Sequence, residues 1–70
     1  MSVVTLVVEI EQVDGSKIAP VYECYGEQKF AEFVEWHEQN LAVGSTAVLK
    51  GYALNADEPT VTYTVKGAKL

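Results

Sequence analysis

The sequence predicts an α+β domain in which one helix packs on a four-stranded sheet, with the element order ββαββ. Three observations predict this class. A β-rich segment is followed by the turn signal Asp14-Gly15. Residues 27–42 have the apolar spacing of an amphipathic helix, and residues 60–66 alternate strictly between apolar and polar side chains. We expect one domain, 1–70, because this length holds a single core.

The first hairpin is predicted from residues 3–11 and 17–25. Residues 3–11 are apolar on both faces, which is typical of a central strand. A three-residue loop, 13–15, with its glycine in the left-handed conformation, gives the best register. The cross-strand pairs are then chemically matched: Ile10 with Ile18, Leu6 with Tyr22, Val7 with Val21 and Glu11 with Lys17.

The helix is predicted over residues 27–42, with Gly44 beyond its end. Its buried face carries side chains at helical spacing: Phe30, Phe33, Val34, His37 and Leu41. Trp36 falls at the border of this stripe. The glutamates lie towards the exposed side: Glu32, Glu35 and Glu38.

The second hairpin is predicted from residues 46–54 and 60–66, and the tail 67–70 is expected to fray. A helix between two hairpins resembles the β-grasp architecture of small bacterial immunoglobulin-binding domains and ubiquitin-like folds. The resemblance implies strand order 2-1-4-3, with strands 1 and 4 parallel in the centre. Pro20 favours the second strand at an edge, because proline cannot donate to a ladder. A fully antiparallel sheet is the alternative.

The charge is strongly acidic, with ten acids against five lysines, no arginine and a net charge of −5. Residues 1–40 hold eight acids and two lysines, which sum to −6. Residues 41–70 hold two acids and three lysines, which sum to +1. Nucleic-acid binders concentrate basic residues, so we expect no direct binding to nucleic acid and no membrane association. A protein partner with a basic surface suits this charge.

No motif predicts catalysis, a metal site or a cofactor, so we expect a protein that is not an enzyme. His37, the only histidine, is expected at the edge of the core with one hydrogen-bond partner. Cys24, the only cysteine, is expected to be a small buried residue. A Cys24–His37 dyad is disfavoured, because His37 lies roughly 15 Å along the helix axis at 1.5 Å per residue. A free thiol and a start unlike a signal peptide predict a cytoplasmic location.

Two surfaces are predicted to form interfaces. The outer face of the sheet, away from the helix, is expected to carry Val3, Val7, Val21, Tyr25 and Tyr52. On the helix, Trp36 is the expected anchor beside Glu32, Glu35 and Glu38, because tryptophan is enriched among interface hot spots.

The preferred function is a small non-enzymatic protein-binding module, an accessory or regulatory (inhibitor) protein that acts by surface contact. A small domain without a disulfide or metal also makes a homodimer reasonable. The alternative is an acidic nucleic-acid mimic of phage or mobile-element type that blocks a basic site on a host protein. In size and charge the chain is similar to anti-restriction and anti-CRISPR proteins, with Glu27, Glu32, Glu35 and Glu38 in the place of phosphates. A small enzyme using His37 or Cys24 is the third hypothesis.

Overall fold

The computed structural model describes residues 2–70, which form one helix packed on one face of an open five-stranded antiparallel sheet. The α+β class is therefore confirmed. The elements in chain order are β1 (Val3–Glu11), β2 (Lys17–Ile18), β3 (Val21–Glu23), α1 (Glu27–Asn40), β4 (Thr46–Ala53) and β5 (Val61–Lys66).

The first hairpin closes as the sequence predicts. The N–H of Gln12 donates to the carbonyl oxygen of Ser16 at 2.8 Å, and Gly15 has φ +87°. All four predicted cross-strand pairs are present. The predicted second strand is divided into β2 and β3, because Pro20 lacks an N–H to continue the ladder. Its carbonyl still accepts the N–H of Val8 at 3.0 Å, so both halves keep one register at the sheet edge.

The strand order corrects the β-grasp expectation. β1 lies between the β2–β3 edge and β4, and β5 forms the opposite edge. The third predicted strand is β4 and the fourth is β5. β1 pairs antiparallel with β4 and not with β5. In the predicted numbering the order is therefore 2-1-3-4, so the preferred order 2-1-4-3 is wrong and the antiparallel alternative holds. The physical reason is burial. Every residue of the eight-residue β4 is at least half-buried, whereas the shorter β5 exposes Thr62, Thr64 and Lys66, as an edge strand can.

The core lies between α1 and the sheet, and the helix packs over β5, β1 and β4. Its fully buried residues come mainly from the central strands: Val3, Leu6, Val8, Cys24, Ala47 and Leu49. The helix ends at Asn40, two residues before the predicted end, because Leu41 turns to extended backbone at φ −74° and ψ 127°. No helix within residues 2–70 has the length and apolar character needed to cross a membrane.

The C-terminal tail is held by backbone hydrogen bonds, so the expectation that it frays is wrong. The N–H groups of Ala68 and Lys69 both donate to the carbonyl oxygen of Leu41 at 3.0 Å. The N–H of Val43 donates to the carbonyl of Lys69 at 2.9 Å. Without the tail, these backbone groups of the turn after the helix would have to form hydrogen bonds with water.

Candidate functional site

Val3 lies in the core, which corrects its assignment to the outer interface. The β1–β4 register shifts by one residue between Val3 and Thr5, so Val3 pairs with Ala53 while Thr5 pairs with Tyr52. A bulge of this kind turns the side chain before it to the opposite face. The Val3 side chain therefore points towards the helix and is only 1% exposed.

The outer face of the sheet carries Val7, Val21 and Tyr52, as predicted, but it is not a continuous apolar surface. Val7 pairs with Val21 on one side and with Lys50 on the other. The Lys50 ammonium lies 3.0 Å from a Glu9 carboxylate oxygen, and this hydrogen bond raises the pKa of Lys50. Threonines occupy the neighbouring positions on β5. Polar groups therefore separate the apolar side chains, and water can solvate this face.

The opposite face of the sheet is only partly covered by the helix. Four strand positions at about 4.8 Å spacing place the outermost strand axes about 14 Å apart. A single helix about 10–12 Å wide is narrower than this sheet and cannot cover all four strand positions. Since α1 packs mainly over β5, β1 and β4, the strip above β2 and β3 is only partly covered.

We call this strip the helix–hairpin groove. It lies between α1 and the first hairpin, and its main lining residues are Ile10, Val13, Ile18, Tyr22, Phe33, Trp36 and His37. Several of them are large apolar side chains in contact with solvent: Ile18 at 48%, Tyr22 at 41%, Trp36 at 58% and Val13 at 69% exposed.

Two aromatic contacts shape the groove. The rings of Tyr22 and Phe33 lie with centroids 5.2 Å apart at 38°, which joins β3 to the helix. Trp36 stands edge-on to His37 at 5.0 Å and 73°. Both spacings are within the range of favourable aromatic pairs. The groove therefore has walls formed by packed rings, with Trp36 projecting from the helix side.

His37 forms part of the groove floor and is 4% exposed. Its Nδ1 lies 2.7 Å from the carbonyl oxygen of Phe33. Because a carbonyl only accepts, Nδ1 carries the proton and donates it. This hydrogen bond to the preceding helical turn fixes the orientation of the imidazole ring that Trp36 contacts. The prediction of a core-edge histidine with one partner is thus confirmed.

Carboxylates lie around the groove. Asp14 lines its hairpin end, where it accepts hydrogen bonds from the Ser16 N–H at 2.9 Å and the Ser16 hydroxyl at 2.7 Å. These hydrogen bonds lower the pKa of Asp14 and so favour its ionised form. At the other end Glu32 lies 3.3 Å from the Lys29 ammonium. Such an exposed pair contributes only about 0.3–0.5 kcal/mol, so Lys29 leaves Glu32 available to a partner.

The other predicted interface residues are exposed but lie outside the groove lining. Glu35 accepts a hydrogen bond from the Gln39 amide at 3.3 Å, and Glu38 is exposed on the same helix. Tyr25, in the turn before the helix, is 66% exposed. The structure therefore places Trp36 and Glu32 together at the groove, with the other acids further round the helix.

Cys24 is buried, and its surroundings do not favour a nucleophile. Burial raises the pKa of the Cys24 thiol, and the negative charge of Glu27 raises it further. A raised thiol pKa lowers the thiolate fraction on which cysteine reactivity depends. Within residues 2–70, no three His, Cys, Asp or Glu side chains are grouped so that they could hold a metal ion.

Comparison of the chain with protein-family models, with curated proteins and with solved structures finds no match. Sequence reasoning missed Val13, Ile18 and Tyr22 as candidate interface residues. The signal was present, since the correct register places Ile18 and Tyr22 on the inner face of an edge strand that one helix is too narrow to cover.

Proposed function

We propose that this chain is a small non-enzymatic protein-binding module that acts by surface contact through the helix–hairpin groove. The observation that supports this most is the exposure of Ile18, Tyr22 and Trp36, between 41% and 58%, along one side of the helix. A contiguous set of exposed apolar side chains is typical of an interaction site. Tryptophan and tyrosine are also enriched among the residues that dominate binding energy.

The charge around the groove favours a basic partner. Asp14 and Glu32 lie at its two ends, and residues 1–40 carry eight acids against two lysines. A partner that inserts an apolar side chain between Tyr22 and Trp36, with basic residues on either side, matches both features. Electrostatic complementarity of this kind accelerates association and selects among partners.

The test is affinity purification from the native cell with wild type, Trp36→Ala and Leu54→Ala. Leu54 is the matched control, because it is a large apolar residue, 74% exposed, on the turn after β4 and outside the groove lining. We expect Trp36→Ala to weaken capture at least about tenfold, as hot-spot truncation does, and Leu54→Ala to retain it. Circular dichroism checks that both variants keep the fold. Equal capture by both variants contradicts the proposal.

A second candidate function is the acidic mimic that occupies a basic, nucleic-acid-binding site on another protein. It is favoured by the exposure of Glu27, Glu32, Glu35 and Glu38, all on the one helix. Binding through exposed charges weakens steeply with salt, because ions screen them beyond about 8 Å at physiological strength.

Salt and glutamine substitutions separate the two candidates. For the mimic, Glu35→Gln with Glu38→Gln weakens capture more than Trp36→Ala does, and high salt abolishes it. For groove docking, Trp36→Ala has the larger effect and part of the binding survives high salt, because apolar contacts are not screened. The partner pulled down at low salt serves for both measurements.

A further inference from the structure

β5 is an open sheet edge with the features of a pairing strand. It bonds to β4 on one side, and within residues 2–70 no strand lies on its other side. Its register with β4 is continuous over Val61–Lys66, and the segment contains neither proline nor an acid. The opposite edge is different, since β2 and β3 have two and three residues and are interrupted at Pro20. Short, interrupted edges resist strand addition, whereas long regular ones permit it.

The register shows which backbone groups of β5 are open. The N–H of Gly67 donates to the carbonyl of Ser45 at 2.8 Å, and this pair continues the β4–β5 register by one step. In an antiparallel ladder, hydrogen-bonded pairs recur at every second residue. Val65 and Tyr63 therefore bond to β4, and the N–H and C=O groups of Thr62, Thr64 and Lys66 point away from the sheet.

We propose that β5 pairs antiparallel with β5 of a second copy of this chain, which joins two sheets into one. With Thr64 on the two-fold axis, Thr64 faces Thr64 and Thr62 faces Lys66 of the partner on the outer face. On the helix side, Tyr63, which is 46% exposed, faces Val65 of the partner. Aromatic and β-branched residues are favourable cross-strand neighbours, and no like charges are opposed.

Charge also favours a second copy as the occupant of this edge. Residues 59–70 contain Lys66 and Lys69 and no acid, so all ten acids lie in the first 58 residues. In the sheet order, β5 is the strand farthest from β2 and β3. Pairing through β5 therefore joins the two non-acidic edges and keeps the acidic hairpins at opposite ends of the combined sheet. The acids of the first hairpin are then far from those of the partner, which limits repulsion between two chains of net charge −5.

The size of the contact predicts a weak dimer. β5 offers six residues, against roughly 20–30 residues a side in a standard stable interface. The dimer therefore forms at high protein concentration and dissociates on dilution. It uses a different surface from the helix–hairpin groove, so the proposed function and this inference can fail separately.

The test is sedimentation velocity over a dilution series from millimolar to micromolar protein. We expect the average mass of wild type to rise from 7.7 kDa towards twice that value with concentration. Thr64→Lys places two ammonium groups opposite each other on the axis and should keep the chain monomeric throughout. Val21→Lys is the matched control, an exposed outer-face position on the opposite edge, and it should dimerise like wild type.

Amide hydrogen exchange of wild type adds a readout that does not depend on any variant. The amides of Thr62 and Thr64 should exchange fast in dilute protein and slowly in concentrated protein. A wild type that is monomeric at every concentration overturns the proposal. A dimer that survives Thr64→Lys, or that Val21→Lys abolishes, overturns it as well, because the contact then lies elsewhere.

Discussion

Val3→Ala is the substitution that best separates core from surface on β1. The Val3 side chain is 1% exposed and turns inward at the bulge. A Cβ added at Gly51 would meet both of its methyl groups at 3.1 Å, which shows how closely Val3 packs on the centre of β4. Val21, which the sequence places in the same interface, is 63% exposed on the outer face. The two valines should therefore respond very differently to the same truncation.

The expected loss follows from burial. Removal of one buried methyl group, as in Ile→Val, costs roughly 0.5–1.5 kcal/mol with the cavity term included. Val→Ala removes two, so Val3→Ala should lower the free energy of unfolding by about 2 kcal/mol. A domain of this length loses about 4–8 °C in Tm per kcal/mol, which gives about 8–16 °C. Val21→Ala should stay within about 0.5 kcal/mol of wild type.

The assay is thermal and urea unfolding of both variants, followed by circular dichroism at one protein concentration. The free energy of unfolding of wild type should be about 0.05–0.15 kcal/mol per residue, so Val3→Ala removes a large fraction of the total stability. Equal destabilisation by the two substitutions, or a larger effect from Val21→Ala, would show that Val3 is not a core residue and would refute the bulge-based placement.

Three further outcomes follow from the structure. A Cβ at Gly67 would collide with the carbonyl oxygen of Ala42, so Gly67→Ala should lower the free energy of unfolding by more than about 1 kcal/mol. Hydrogen exchange of the tail amides should also become faster. Unchanged exchange would contradict the docked tail. The Ser16 hydrogen bonds lower the pKa of Asp14. The ionised Asp14 therefore stabilises the folded protein at pH values above 3.8, and this contribution is lost as pH falls through the lowered pKa. Asp14→Ala should therefore have a lower Tm than wild type at neutral pH, and the two Tm values should converge in acid. A Tm difference that persists in acid would contradict this role of the Asp14–Ser16 hydrogen bonds. Cys24 should react slowly with iodoacetamide in native protein and quickly in urea, as read by mass spectrometry, whereas equal rates would contradict its burial and raised pKa.

Local sequence signals predicted the first hairpin and the helix well. The Asp14-Gly15 turn with a left-handed glycine determined the loop length, and side-chain matching then chose the register between β1 and the β2–β3 strand. The helical period identified Phe30 and His37 as buried and placed Trp36 at the border. Each of these features depends on residues close together in the chain or directly paired.

Features that depend on distant parts of the chain were not predictable in the same way. The bulge that buries Val3 is set by the pairing of β1 with β4, which local periodicity does not contain. The strand order depended on whether β4 or β5 is the more buried strand and so lies beside β1. The exposed threonines of β5 were the available signal that it lies at an edge. For the groove, the register placed Ile18 and Tyr22 on the inner face of an edge strand, but the position of the helix decides that this part of the face stays uncovered.

The most direct test of groove docking is site-specific photo-crosslinking in the native cell. Benzoylphenylalanine replaces Tyr22 in one variant and Tyr52 in another, so the same probe is placed in the groove or on the half-buried outer sheet face. We expect a crosslinked adduct with another protein from position 22 and none from position 52. An adduct from position 52 with none from position 22 would place the binding surface on the opposite side of the sheet.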